Sequence, residues 1–200
     1  MTVETVRTYP ARHQVGGREV TLRLMGPGDR EAVLAFARRL PEHDLLFLRR
    51  DITQADAVDD WIAEIERGEI VTVLAESDGE VVGYGTIHRN TLRWTAHVAE
   101  LRVLVAEAWR GKGLGRLLTQ EAFANALGLG IEKMIAQMTL DQKGAIATFE
   151  GLGFRPEALL RDQVKDREGN THDLLVLSHD VARFEAARSA YGVTEALGGS

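Results

Sequence analysis

Between Leu101 and Leu118 the chain reads LRVLVAEAWRGKGLGRLL, and this stretch restricts the fold more than any other. Ala99, Leu101, Val103 and Val105 alternate with Glu100, Arg102 and Leu104, the period of a strand. Gly111, Gly113 and Gly115 then remove side chains where the backbone has to turn. Leu117, Leu118, Ala122 and Ala126 follow at the spacing of an apolar helix stripe. A strand, a glycine turn and a helix in succession leave several N–H groups converging beside the positive end of the helix. Such a turn is an anion cradle. Arg110, Lys112 and Arg116 add charge at the same place. Each charge-assisted hydrogen bond there contributes about 1.5–3 kcal/mol.

Spacing excludes two kinds of phosphate site. A P-loop requires a Lys-Ser or Lys-Thr after its last glycine, and none follows here. A dinucleotide fold requires G-x-G-x-x-G, whereas these glycines are spaced G-x-G-x-G.

The rest of the chain sets the frame. Residues 1–17 read as a loose arm. A strand begins at Arg18, with Val20, Leu22 and Leu24 alternating, and Gly26-Pro27-Gly28-Asp29 forms a turn with Asp29 as helix cap. One helix runs to Leu40, before Pro41, and a second covers 53–67 with Trp61, Ile62 and Ile65 on one stripe. Strands at 70–75 and 81–89 flank the turn Ser77-Asp78-Gly79. After the strand over 97–105 and the helix over 113–127 come a strand over 131–139 and a helix over 142–152. Strands over 154–164 and 172–177 close the sheet, and a short helix over 181–191 follows. This order predicts an α/β (α+β) fold: a mixed, mostly antiparallel twisted sheet of about seven strands with helices on both faces. The expected domain spans 18–180, with a C-terminal helix and tail over 181–200.

Composition narrows the function. Among 200 residues, 24 Lys and Arg face 30 Asp and Glu, a net charge of −6, which disfavours nucleic acid as a partner. The absence of cysteine removes disulfides, thiolate metal sites and cysteine nucleophiles. No apolar run reaches the roughly 20 residues of a membrane span, and no signal core opens the chain. A soluble cytoplasmic protein without a membrane partner is expected. The six His lack metal-ligand spacing and read as structural, so no metal is expected. Ser178-His179-Asp180 has the letters of a catalytic triad, but neighbours on a strand point apart.

Arg110-x-x-Gly113-x-Gly115 after an apolar strand end resembles the pyrophosphate turn of the GNAT superfamily of N-acetyltransferases. A second block, Gln142-x-x-Ala145-x-x-x-Phe149-x-x-x-Gly153-Phe154, is similar to that family's Asn-x-x-Ala-x-x-x-Tyr-x-x-x-Gly-Phe helix. The resemblance implies a single GNAT-like domain that uses acetyl-CoA as co-substrate. Val103, Leu104 and Val105 would pair with the pantetheine arm through backbone groups. Arg110, Gly111, Lys112, Gly113, Leu114, Gly115 and Arg116 would bind the pyrophosphate, and Gln142 and Phe149 would complete the cofactor site. A backbone N–H near Leu104 would polarise the acyl carbonyl.

An amine of pKa near 10.4 is neutral in about one molecule in 2,500 at pH 7, a handicap of roughly 4.6 kcal/mol. The resemblance makes Glu100 the catalytic proton acceptor, acting through a water. Two departures stand out: Gln142 replaces the family's Asn, and Phe149 replaces a phenol that commonly protonates the leaving thiolate. Tyr84 is a substitute donor. The acceptor side would include Leu45, Phe47, Arg49, Arg50 and Asp51, with Arg49 and Arg50 suited to a carboxylate or phosphate. Asp51, Asp59, Asp60 and Glu64 suit a cationic amine instead. The expected activity is transfer of an acetyl group to a primary amine of a small molecule or protein, with a possible homodimer. The alternative is a non-catalytic acyl-CoA-binding or regulatory module on the same fold.

Overall fold

The computed structural model describes residues 7–46, 48–90 and 92–181. Within them lie β1 (Ala11–Val15), β2 (Arg18–Leu24), α1 (Arg30–Ala37), α2 (Glu42–Leu45), α3 (Ala55–Glu66), β3 (Ile70–Ser77) and β4 (Glu80–Arg89). β5 (Val98–Val105), α4 (Leu114–Gly128), β6 (Lys133–Thr139), α5 (Lys143–Gly151), β7 (Arg155–Lys165) and β8 (Thr171–Asp180) follow. The strands form one sheet in the order β1-β2-β3-β4-β5-β6-β8-β7. Every neighbouring pair is antiparallel except β5 with β6.

The sheet has eight strands where about seven were expected. The additional one is β1, in a stretch read as a loose arm. Gly16 and Gly17, both at positive φ, turn it onto β2 with Val15 opposite Arg18. Only Val15 of β1 becomes buried, so the strand carries almost no apolar alternation. Asp29 also differs from expectation. Its side chain makes no cap hydrogen bond to α1. It accepts instead from Gly26 N at 2.7 Å and from both terminal nitrogens of Arg23, tying the turn to β2. The helix expected over 181–191 lies, beyond Val181, outside the described residues.

Helices cover both faces. α1 and α3 pack Leu34, Phe36 and Trp61 onto Ile70, Leu74 and Tyr84. On the opposite face Leu114 and Leu118 of α4 pack onto Val20, Leu22, Val73 and Val82. That layer continues through Ile87, Leu101, Ala122, Phe149, Phe154 and Leu177. β3 lies between the two layers and is apolar on both sides, the pattern of a strand covered on both faces. Gly83 sets the approach of α4: a Cβ there would lie 2.9 Å from Leu104 O and 3.2 Å from a Leu118 methyl.

β5 and β6 pair over only three positions, Val98 with Lys133, Ala99 with Met134 and Glu100 with Ile135. Beyond Glu100, β5 stays on β4 through Val105, while β6 stays on β8 through Thr139. The two central strands therefore part, and the sheet opens at the end where β5 runs into the glycine turn.

Candidate active site

The direction of the β5 backbone decides what faces this opening. Ala106 N donates to Val82 O at 2.9 Å, and Val105 lies opposite Gly83. In an antiparallel ladder that phase commits the N–H and C=O of Leu104 to β4 and turns those of Val103 and Val105 the other way. His97 O accepts from Lys133 N at 3.1 Å, which places the same odd-numbered edge toward β6. The carbonyl-polarising N–H expected near Leu104 is thus not that of Leu104 itself. Val103 and Val105 present the groups that β6 leaves unpaired.

The glycine turn follows directly. Gly111 has φ of 68°, and Gly113, the residue before α4, has φ of 94°. A side chain at Gly113 would be strained in that left-handed conformation. Leu114 is fully buried and pins the first turn of the helix. Trp109 is buried just before it, with the Arg18 guanidinium 3.7 Å over its ring. Two of the three cations have protein partners. Arg110 donates to Val105 O at 3.3 Å and pairs with Asp44, while Lys112 Nζ donates to Ala108 O at 2.6 Å. Arg116 is exposed on the first turn of α4, near Gly151 of α5.

α5 brings the second block alongside. Gln142 precedes its first turn, and the Gln142 Oε1 accepts from Thr139 N at 3.3 Å. Phe149 is 5% exposed and meets Phe154 edge-on at 5.0 Å between centroids. Its ring is part of the core. His179 packs edge-on against Phe123 and Phe154, and Ser178 and Asp180 occupy the alternate positions of β8, so the three form no triad.

The opposite face of β4 and β5 holds a second set of groups. Tyr84, Thr86 and His88 stand beside Leu104, Arg102 and Glu100. Leu48, Arg49, Arg50 and Ile52 roof them, and Trp61 forms a wall, which makes a pocket. Glu100 is 2.6 Å from Arg102 and 3.3 Å from Arg49, so the proposed acceptor of the proton is held between two guanidiniums. Arg50 pairs with Glu64. Burial first, then the charges of Arg49, Arg102 and Arg50, push the His88 pKa down to about 3. Burial raises the Tyr84 phenol, against the pull of Arg102 and Arg50. Tyr84 thus lies in this pocket, with its backbone paired to Leu104.

Most of the carboxylates read as lures for a cationic amine have other work. Asp59 pairs with Arg30, Glu64 with Arg50, and Asp51 accepts from Thr53 N and Oγ1. Asp60 is exposed. Leu45 packs on the core, and Phe47 lies outside the described residues. Sequence reasoning missed Thr86, His88 and Arg102 as pocket groups. The signal was present in the period-two spacing of Tyr84, Thr86 and His88, but β4 is buried on both faces and the alternation is masked.

One short element ties the region together. Consecutive residues of α2 reach three different places: Glu42 pairs with Arg167 in the β7–β8 turn, His43 with Asp141 before α5, and Asp44 with Arg110 in the glycine turn. Among the described residues there is no group of His, Asp or Glu arranged to hold a metal ion, and no helix long and apolar enough to cross a membrane.

Comparison with known proteins places this geometry. The chain is 28% identical over 169 residues to YwnH of Bacillus subtilis, named as a candidate phosphinothricin acetyltransferase, covering 82% of this chain and all of that one. A ribosomal-protein-alanine N-acetyltransferase from Brucella melitensis superposes with a TM-score of 0.71 at 26% identity, covering 80% of this chain and 98% of that one. An acetyltransferase-like structure from Salmonella typhimurium, yncA, solved with acetyl-CoA, gives a TM-score of 0.71 at 22% identity over 81% of this chain and 94% of its own. A sequence model of the acetyltransferase (GNAT) family matches residues 35–154, which include the parted strands, the glycine turn and α5, and the chain belongs to that family.

Proposed function

We propose that this protein transfers the acetyl group of acetyl-CoA to a primary amine by direct attack. The observation that carries the reading is the β5 edge at Val103 and Val105, left without a strand beside it and running straight into the turn that opens α4. A thin, hydrogen-bonding chain ending in a diphosphate matches both parts. The acetyl-CoA held by the Salmonella relative and the naming of YwnH support the same chemistry. Bound there, acetyl-CoA supplies an activated acyl thioester.

The chain's own groups then have distinct tasks. Backbone groups of Val103 and Val105 hold the pantetheine arm, and one of their N–H groups donates to the acyl carbonyl oxygen. The amides between Arg110 and Arg116 receive the diphosphate, with Gly113 providing the backbone turn and Arg116 a charge. Gln142 and Phe149 flank this site from α5. The amine enters from the Glu100 face. As the N–C bond forms and the C–S bond breaks, the amine proton passes to Glu100 through a water, and CoA leaves as its thiolate. With a reference thiol pKa near 8.5, that departure is tolerable without the phenol that Phe149 lacks.

The chain has no cysteine, so a thiol-reactive dye reads released CoA without background. Glu100→Gln should lower kcat by about 10²- to 10⁴-fold with little change in the KM for acetyl-CoA. A kcat within a few-fold of the parent would mean that Glu100 serves only its two arginines. Stabilisation by CoA with no release in a broad amine panel would favour the acyl-CoA-binding module, to which Phe149 and the paired Glu100 also point.

A further inference from the structure

The tip of the β1–β2 hairpin lies against the glycine turn. A Cβ at Gly16 would be 3.0 Å from Lys112 Cδ, 3.1 Å from its Cβ and 3.2 Å from its Cγ. The bare backbone of Gly16 therefore forms a seat for the Lys112 stem. Beside it, the Arg18 guanidinium covers the Trp109 ring, and Val15 packs in the cluster that holds Trp109 and Leu114. The segment before β1 is fixed to α4 as well. Tyr9 Oη donates to Glu121 Oε2 at 2.9 Å and accepts from Asn125 Nδ2 at 2.8 Å, and both partners are buried. Gly17 differs from its neighbour. Both glycines are left-handed, with φ of 57° at Gly16 and 79° at Gly17, but a Cβ at Gly17 would meet nothing within 4 Å.

We propose that Gly16 is a positioning residue for acetyl-CoA: it seats the Lys112 stem and so keeps the Lys112 ammonium in place for the diphosphate. The assignment rests on the reading of the glycine turn as the acetyl-CoA site. The stem is held at both ends, by Gly16 near its base and by Ala108 O, which accepts from Nζ at 2.6 Å. An ammonium carries three donors, so the bond to Ala108 leaves the others for a ligand oxygen. A free lysine loses rotamer freedom when it grips a ligand, whereas one already ordered costs less on binding. A side chain at position 16 meets Cβ and Cγ, the part of Lys112 nearest the turn's own backbone. It displaces either the ammonium or the turn, and the ligand loses a prepared cation in both cases.

The test is titration calorimetry of the full chain with CoA, on Gly16→Ala, Gly17→Ala, Lys112→Ala and the Gly16→Ala, Lys112→Ala pair. Both glycine variants place a Cβ on a left-handed backbone, so both should lower Tm. Only Gly16→Ala should raise the Kd for CoA, by about two- to fivefold, the scale of one exposed charge contact. The loss acts through a charge, so it should fade in about 1 M salt. It should also be absent when Lys112 is already alanine. With any amine that the enzyme acetylates, Gly16→Ala should raise the KM for acetyl-CoA and spare kcat. Gly16→Asn, which tolerates the left-handed conformation and still carries a Cβ, should weaken CoA in the same way and serves if the alanine variant does not fold. Equal Kd values for the position-16 and position-17 variants overturn the proposal while leaving CoA binding intact. So does a loss that persists in high salt or without Lys112. A parent chain that binds no CoA overturns the acetyl-CoA reading itself, and this assignment with it.

Discussion

His88 is an imidazole that does not titrate near neutrality in the folded chain. Burial and three guanidiniums push its pKa from 6.5 down to about 3. Above pH 6.5 the folded and unfolded states are both neutral at this position, and its contribution to stability is complete. As pH falls toward 3 only the unfolded chain takes up the proton, so stability declines across that window, by at most about 1.4 kcal/mol per pH unit. His88→Gln should flatten the dependence of urea-unfolding free energy on pH between 6.5 and 3. An unchanged slope would show that the folded imidazole is protonated there. The same environment explains why the pocket was hidden in the sequence. His88 and Arg102 each look like an ordinary polar strand residue until the loop at 48–52 lays Arg49 and Arg50 over them.

At the scale of elements, local signals were read correctly apart from the Asp29 cap, and distant contacts were not. The alternation of β5 and the glycines before α4 are properties of adjacent residues, and both elements form close to where the pattern places them. β1 was missed because its pairing rests on a Gly-Gly turn and one buried valine. No local pattern could reveal that α2, four residues long, places Asp44 on Arg110 from 66 positions away. A helix of one turn has little intrinsic stability, so its place depends on such contacts. Since Arg110 belongs to the proposed diphosphate turn, Asp44 competes with the ligand for it. Asp44→Asn should tighten CoA about two- to fivefold in titration calorimetry, the scale of an exposed ion pair. Unchanged or weaker binding would show that Asp44 holds the turn in its receptive shape.

Across the whole molecule, the parting of β5 and β6 would link the proposed ligand to stability. The fold was legible at this scale because the order of strands and helices is specific, whereas the cluster of Arg49, Arg50, Arg102 and Glu100 became visible only when two faces of the same strands were separated. CoA at 100 times its Kd should add about 2.7 kcal/mol to unfolding, with Tm rising further as ligand increases, while ATP and NAD leave Tm in place. A response to ATP and not to CoA would move the site to nucleotides. The opening has one more consequence. Bare hydrogen-bonding edges usually invite another chain to add a strand and start aggregation. Here the bare edge lies inside the sheet, between two strands that remain joined at their other ends, instead of at the rim. Such a notch admits a slender ligand but denies a foreign strand the length and flatness that runaway assembly requires.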